Sequence, residues 1–176
     1  MKSLKKQWLQ KPAQIKLDMV KIAKLEAGAK APAFSLLDQH GNMVKSGSFK
    51  GQKLLVYFYP RAMTPGCTVQ ACTVRDSLTQ LNKIGLKVVA ISPDLPERLK
   101  KFDEKQNLGF TLLSDPEKSV ADSYGAVGEK TMFGKKSIGI IRSSFLIDEK
   151  GKIVAVWYKV KPDQTVSLAL ETLERL

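Results

Sequence analysis

The sequence predicts a layered α/β fold, in which strands and helices alternate along a chain of 176 residues. Two short apolar runs, residues 53–59 and 86–91, predict buried central strands, because strands covered on both faces of a sheet are apolar throughout. Stretches with helical signals follow these runs. Near the end, the turn sequence Asp148-Glu149-Lys150-Gly151 joins two more predicted strands. Packing helices onto a sheet buries the apolar side of both kinds of element.

The individual elements follow from local signals. The run from Asp38 to Asn42 has turn composition and predicts a hairpin. Pro65 suits the first position of a helix, and Gly85 suits the position after its end. In chain order, the predicted elements are strands 34–37, 43–44 and 53–59, a helix 65–83, a strand 86–91, a helix 96–106, a strand 110–113, a helix from Asp115-Pro116 through 121, strands 138–147 and 152–158, and a helix 165–176.

The composition is typical of a globular domain, with 43% hydrophobic and 26% charged residues. No apolar stretch approaches the roughly 18 residues of a membrane span. The basic N-terminus lacks the apolar core of a secretory signal. We therefore expect a cytoplasmic protein with one domain, residues 25–176, preceded by a basic extension, residues 1–24.

The formal net charge of +12 raises the question of nucleic-acid binding. Seven lysines and one aspartate precede Leu25, so about half of the excess lies in the extension, and no recognition motif accompanies it. In the extension, Ile15, Met19 and Ile22 have the spacing of an amphipathic helix. Docking on the domain, a loose tail, and binding to a membrane surface or partner all remain open.

The only two cysteines, Cys67 and Cys72, lie where a predicted helix begins. Pro60, Thr64 and Cys67 form the pattern P-x-x-x-T-x-x-C between a predicted strand and that helix. At a helix N-terminus, backbone N–H groups and the helix dipole stabilise a thiolate. Cys72 is close enough in sequence to capture an oxidised Cys67. Two cysteines at this spacing suit redox chemistry better than a disulfide scaffold.

This pattern resembles the active site of the peroxiredoxins, specifically the Q-type or bacterioferritin-comigratory group. The likeness runs from about Leu25 to the end of the chain and is also carried by residues 54–60, 110–115 and 144–148. It implies a thioredoxin-like fold, with a central mixed sheet flanked by helices. It also implies a thiol-dependent peroxidase that acts on hydrogen peroxide and organic hydroperoxides, without a cofactor or metal, as a monomer or weak dimer.

The resemblance also implies a role for each site residue. Cys67 is similar to the family's peroxidatic cysteine, which peroxide oxidises to a sulfenic acid, and Cys72 to its resolving cysteine, which condenses with that acid in the same chain. Arg142 is similar to the family's active-site arginine. Thr64 would reach the peroxide or the sulfur, and Pro60 would screen the thiolate from water. A dithiol reductant such as thioredoxin or glutaredoxin would reopen the disulfide.

Each of these residues also has a plainer interpretation. Cys67 and Cys72 could be core thiols, Thr64 a helix N-cap and Arg142 a surface arginine. The lone His40 lies in a predicted turn far from Cys67 in sequence, so neither a Cys–His dyad nor a zinc site is indicated. A general thiol–disulfide oxidoreductase is the alternative enzyme, although such proteins typically use C-x-x-C. A holdase or nucleic-acid-binding protein acting through the basic tail is the non-enzymatic alternative.

Overall fold

The apolar runs form the centre of a mixed sheet in the computed structural model, which describes residues 24–176. In this part of the chain the strands are β1 (Ser35–Asp38), β2 (Met43–Lys45), β3 (Lys53–Phe58), β4 (Leu86–Ser92), β5 (Thr111–Ser114), β6 (Val127–Met132), β7 (Lys135–Ile140), β8 (Ser143–Ile147) and β9 (Ile153–Tyr158). The α-helices are α1 (Pro65–Lys83), α2 (Pro96–Gln106), α3 (Ser119–Ser123) and α4 (Thr165–Glu174). The predicted helix around Ile15, Met19 and Ile22 lies outside the described residues.

Seven strands form the main sheet, in the order β2-β1-β5-β4-β3-β8-β9. β4 lies parallel to both β3 and β5, whereas β8 lies antiparallel to β3 and β9. β6 and β7 form a separate antiparallel pair. None of the helices within residues 24–176 is long and apolar enough to cross a membrane. The predicted thioredoxin-like fold, a mixed sheet flanked by helices, is confirmed.

The central strands divide the interior into two apolar clusters. On β3, Leu55 and Tyr57 face a cluster that includes side chains of α1, α2 and α4. Leu54, Val56 and Phe58 face the opposite cluster, to which α3 contributes. Full burial of one such side chain stabilises the fold by about 1.5–3 kcal/mol. β3 is therefore held from both faces, and its carboxyl end is a fixed point for the loop that leads into α1.

Most predicted boundaries match the structure. Helices predicted over 65–83 and 96–106 are α1 and α2, and each has proline in its first turn. Gly85 has φ of +70°, a conformation that glycine adopts without steric cost just beyond a helix end. The signals that fixed these boundaries are local, which is why the sequence alone was sufficient.

The prediction that a helix opens at Asp115-Pro116 was wrong, because α3 begins at Ser119. The Asp115 side chain is buried, and its carboxylate accepts a hydrogen bond from the Ala121 N–H at 2.9 Å. Lys118 has φ of +58°, which a right-handed helix cannot include. The carboxylate thus caps a helix that starts later than its sequence signal.

The single strand predicted over residues 138–147 was also wrong. β7 ends at Ile140 and β8 begins at Ser143, so Arg142 lies outside both strands. β6, the partner of β7, was not predicted because its sequence, VGEKTM, lacks apolar alternation. Arg142 therefore lies in the two-residue connection between β7 and β8, next to the first residue of β8.

Candidate active site

Cys67 lies in the first turn of α1, directly beyond the carboxyl end of β3. Thr64 occupies the N-cap position with an extended backbone, and Pro65 is in the first turn. The Cys67 side chain is 2% exposed and packs into the cluster that contains Tyr57 and Tyr59. The first four N–H groups of a helix have no partner within the helix, so the thiol lies next to a concentration of positive partial charge.

Arg142 supplies a full positive charge at the same place. Its Nη2 lies 3.5 Å from the Cys67 Sγ, and its Nη1 donates a hydrogen bond to the Gln70 Oε1 at 2.5 Å. The sheet explains this contact between distant residues, since Ser143 pairs with Phe58 at the carboxyl end of β3. The residue before Ser143 is thereby brought beside the start of α1.

A buried chain of polar groups holds Arg142 in this orientation. The Gln70 Nε2 donates to the Thr165 Oγ at 2.8 Å, and the hydroxyls of Thr165 and Ser144 lie 3.3 Å apart. All three of these side chains are buried. Sequence analysis missed Gln70, although its position three residues after Cys67 places it on the same face of α1. Satisfied buried networks of this kind fix one geometry of the groups they contact.

Thr64 is at the N-cap position, but its side chain makes no capping hydrogen bond. Its hydroxyl donates instead to the Arg61 carbonyl at 2.9 Å, and its own carbonyl accepts from the Thr68 N–H. Because the hydroxyl hydrogen is committed, the Thr64 oxygen is free only to accept. Pro60 lies half-buried immediately after β3, at the start of this loop.

The loop between Pro60 and Thr64 is clamped by a charged pair that sequence analysis missed. The Asp94 Oδ2 accepts from the Ala62 N–H at 2.7 Å, and the Arg98 Nη2 donates to the Ala62 carbonyl at 2.8 Å. Arg98 and Asp94 approach within 3.0 Å of each other. Asp94 follows β4, which ends at the same edge of the sheet as its parallel neighbour β3. That topology was the available signal, since functional side chains collect beyond the carboxyl ends of parallel strands.

Lys130 of β6 approaches the site from a third side. Its pKa is lowered, first by partial burial and then by the Arg142 guanidinium, and negative charge on Cys67 acts in the opposite direction. Beneath the site, burial raises the pKa of Tyr57 well above its ordinary value, with smaller contributions from Tyr59 and Cys67. The phenol of Tyr57 therefore stays neutral, and the two charged side chains identified at the site, Arg142 and Lys130, are cationic.

The structure does not bring Cys72 to Cys67. Both thiols are free, and both lie on the uninterrupted helix α1. Residues five apart on a regular helix have Cα atoms roughly 8.7 Å apart and side chains about 140° apart around the axis. A disulfide requires a Cα separation below about 7 Å. The Cys72 thiol is half-buried, and its sulfur lies 3.5 Å from the Gln106 Oε1.

Comparison with known proteins finds the same family for most of the chain. Residues 27–156 match the AhpC/TSA family. A putative peroxiredoxin of Mycobacterium tuberculosis is 52% identical over 143 residues, which is 81% of this chain and 91% of that protein. Peroxiredoxin Bcp of Escherichia coli K12 is 51% identical over 150 residues, which is 85% of this chain and 96% of that protein.

Solved structures agree with the sequence comparison. A mutant of peroxiredoxin Q from Xanthomonas campestris has a TM-score of 0.79 and 31% identity, and the match covers 86% of this chain and 99% of that one. A mutant of PrxQ from Xylella fastidiosa has a TM-score of 0.81 and 27% identity, with 87% and 98% covered. The fold and the sequence therefore point to the same group of proteins.

Removing the Asp94 carboxylate should loosen the loop that precedes Cys67. Asp94→Ala deletes the buried acceptor of the Ala62 N–H and leaves Arg98 without its partner, so the free energy of unfolding should fall by about 2–4 kcal/mol. Asp76→Ala is the matched control, because Asp76 also pairs with an arginine but has a side chain that is 67% exposed. Its expected loss is below about 0.5 kcal/mol. Urea unfolding measures both values, and equal losses would show that Asp94 does not hold the loop.

Proposed function

The chain belongs to the AhpC/TSA family, in its Bcp/peroxiredoxin Q group, and we propose that Cys67 is the thiol with which it reduces peroxides. The protein is a peroxiredoxin, an enzyme that transfers electrons from a thiol reductant to a peroxide. The observation that supports the assignment to Cys67 is its position in the first turn of α1, with the Arg142 Nη2 3.5 Å from its sulfur.

In the first step, the Cys67 thiolate attacks one oxygen of the peroxide. The S–O bond forms as the O–O bond breaks, and the departing oxygen takes a proton and leaves as an alcohol or water. Negative charge moves from the sulfur to that oxygen, so the Arg142 guanidinium and the N–H groups of α1 are placed to stabilise it throughout. The Thr64 oxygen accepts the peroxide O–H, and Pro60 limits access of water to the sulfur.

In the second step, the Cys72 thiol attacks the sulfenic acid on Cys67. The disulfide forms as the S–O bond of Cys67 breaks, and water leaves. A dithiol protein, thioredoxin or glutaredoxin, then returns two electrons and two protons by thiol–disulfide exchange. Because Cys67 and Cys72 are too far apart on a regular helix, this step requires α1 to unwind between them.

Two serine variants test the assignment of the cysteines. Cys67→Ser should abolish peroxide consumption, whereas Cys72→Ser should consume one equivalent and then stop as a sulfenic acid, which excess peroxide converts to a sulfinic acid. Thiol titration after one equivalent of hydrogen peroxide, with mass spectrometry of the products, measures both outcomes. Turnover in Cys67→Ser would refute Cys67 as the attacking thiol, and normal cycling of Cys72→Ser with thioredoxin would refute Cys72 as the resolving one.

Arg142→Lys should slow peroxide reduction by about 10²-fold, even though the charge is kept. Lysine lacks the planar fork with which Arg142 reaches the Cys67 sulfur and the Gln70 carbonyl together, and loss of one fixed donor has an effect of this order. Stopped-flow kinetics with hydrogen peroxide measures the second-order rate constant. Arg175→Lys, at an exposed arginine that caps the end of α4, is the control and should leave it unchanged. An unaltered rate in Arg142→Lys would remove Arg142 from the site.

Formation of the disulfide should expose the backbone of α1. Amide hydrogen exchange over residues 66–76 should be slow in the reduced protein and faster by at least about tenfold in the disulfide form, because local opening removes the helical hydrogen bonds. Helix α2 serves as the internal reference and should exchange equally in both forms. Equal protection of residues 66–76 in the two forms would indicate an intermolecular disulfide instead.

A further inference from the structure

The hairpin of β6 and β7 projects from the body of the protein. It pairs with no strand of the main sheet, and residues 131–138 are all exposed. Three large apolar side chains lie within this stretch, with Met132 65%, Phe133 99% and Ile138 63% exposed. An apolar tip on a projecting ribbon contributes nothing to the core formed by residues 24–176, so it is available to bind something other than that core.

The backbone of the tip strengthens this conclusion. Phe133 and Gly134 have φ of +51° and +73°, so both central residues of the turn are left-handed. Asparagine or aspartate followed by glycine is the usual sequence of such a two-residue turn. A phenylalanine is strained in this conformation, and at 99% exposure it gains no packing in return. The stability of the hairpin therefore does not explain the residue.

One face of the hairpin is cationic as well as apolar. Met132 pairs across the ribbon with Lys135, and Lys130 pairs with Ser137, so Lys130, Met132 and Lys135 project from the same face. Neither of these lysines forms an ion pair with a residue of the described part of the chain, whereas Lys136, on the other face, pairs with Glu129 at 3.2 Å. The face that carries Lys130 and Lys135 has no carboxylate of the hairpin to neutralise its charge.

The base of the hairpin adjoins the active site, because β7 ends at Ile140, two residues before Arg142, whose Nη2 lies 3.5 Å from the Cys67 Sγ. Lys130 lies three residues along β6 from Val127, which pairs with Ile140 at this end of the hairpin. Met132 lies two residues further along the same face, which is about 7 Å in a strand. We call Lys130, Met132, Phe133 and Lys135 the hairpin face. A protein that contacts this face is therefore held on the same hairpin that leads into Arg142, next to the site of the proposed cycle.

We propose that the hairpin face docks the dithiol protein that reduces the Cys67–Cys72 disulfide, through an apolar patch rimmed by carboxylates around the partner's reactive cysteine. This inference rests on the proposed function. The partner's thiolate attacks one sulfur of the disulfide and releases the other as a thiol, which leaves a mixed disulfide between the two proteins. The partner's second thiol then attacks the partner's own sulfur in that mixed disulfide and releases the remaining cysteine of this chain as a thiol. Two electrons and two protons pass to the peroxiredoxin, and the partner leaves as a disulfide.

The size and charge of the hairpin face favour such a partner over a second copy of this chain. A stable dimer buries about 800 Å² on each subunit, whereas transient redox encounters have the smallest specific interfaces. A tip of a few apolar side chains suits the second kind of contact. Two lysines without carboxylate partners also repel the same face of an identical chain, and they attract an acidic one.

Phe133→Asn tests the docking without harming the turn, because asparagine tolerates a left-handed backbone. With thioredoxin as the varied reductant, its KM should rise by about tenfold or more, since exposed aromatic anchors carry much of the affinity of small interfaces. With dithiothreitol, which needs no docking surface, turnover should be unchanged, as should the rate constant with hydrogen peroxide. Thermal stability should not decrease.

Matched substitutions separate the hairpin face from exposed apolar surface in general. Met132→Gln should raise the KM for thioredoxin, whereas Met43→Gln, on edge strand β2 and 56% exposed in the native protein, should not. Lys135→Glu should lower kcat/KM for thioredoxin and weaken its dependence on salt, because one attractive charge is lost.

An unchanged KM for thioredoxin in Phe133→Asn would overturn the docking proposal and leave the proposed function standing. Absence of turnover by the native protein with thioredoxin and with dithiothreitol would overturn both. If KM is unchanged but Phe133→Asn abolishes self-association in analytical ultracentrifugation, the hairpin face binds a second copy, and the proposal is wrong. If the substitution instead abolishes only sedimentation with phosphatidylglycerol vesicles, the hairpin face binds a lipid surface, and the proposal is again wrong.

Discussion

The contact between the Arg142 guanidinium and the Cys67 sulfur is the interaction on which the site depends. A thiolate in the first turn of α1 receives partial positive charge from the helix, and Arg142 adds a full charge at 3.5 Å. The guanidinium stabilises the thiolate only if its position is fixed. Gln70 fixes it by accepting a hydrogen bond from Arg142, and Gln70 in turn donates a hydrogen bond to Thr165. The pairing of β8 with β3 delivers Arg142 to this position, so the sheet order is a condition of the chemistry.

The sequence predicted the elements whose ends are marked by proline and glycine, and it predicted Cys67 and Arg142 through a family pattern. It did not predict Gln70 or Asp94, because Gln70 acts on Arg142 and Asp94 on Ala62, each supplied by a separate segment of the chain, and no local pattern marks a polar residue as buried. It also missed β6, whose sequence has no apolar face to bury. The sequence therefore did not reveal the hydrogen bonds between distant segments that orient the residues of the motif.

The two sides of Cys67 have different mechanical requirements. Two charged side chains fix the preceding loop. The Asp94 carboxylate accepts a hydrogen bond from the Ala62 N–H, and the Arg98 guanidinium donates one to the Ala62 carbonyl. The following turns of α1 are regular helix, and the proposed Cys67–Cys72 disulfide requires them to open. If the turns of α1 after Cys67 unwind while the loop before it stays fixed, the movement remains local. Local opening of this kind occurs in segments that are less stable than the fold as a whole.

Opening of α1 also has an electrostatic consequence, because Gln70 lies between the two cysteines. When the helix unwinds there, Gln70 leaves both Arg142 and Thr165, and the guanidinium loses the support that aims it at the sulfur. In the disulfide there is no thiolate to stabilise, so this loss does not hinder the reaction. Reduction allows the helix to re-form, and the same event returns Gln70 to Arg142. In the proposed cycle, the cation and the thiolate that it stabilises are therefore assembled together, through one residue of the helix.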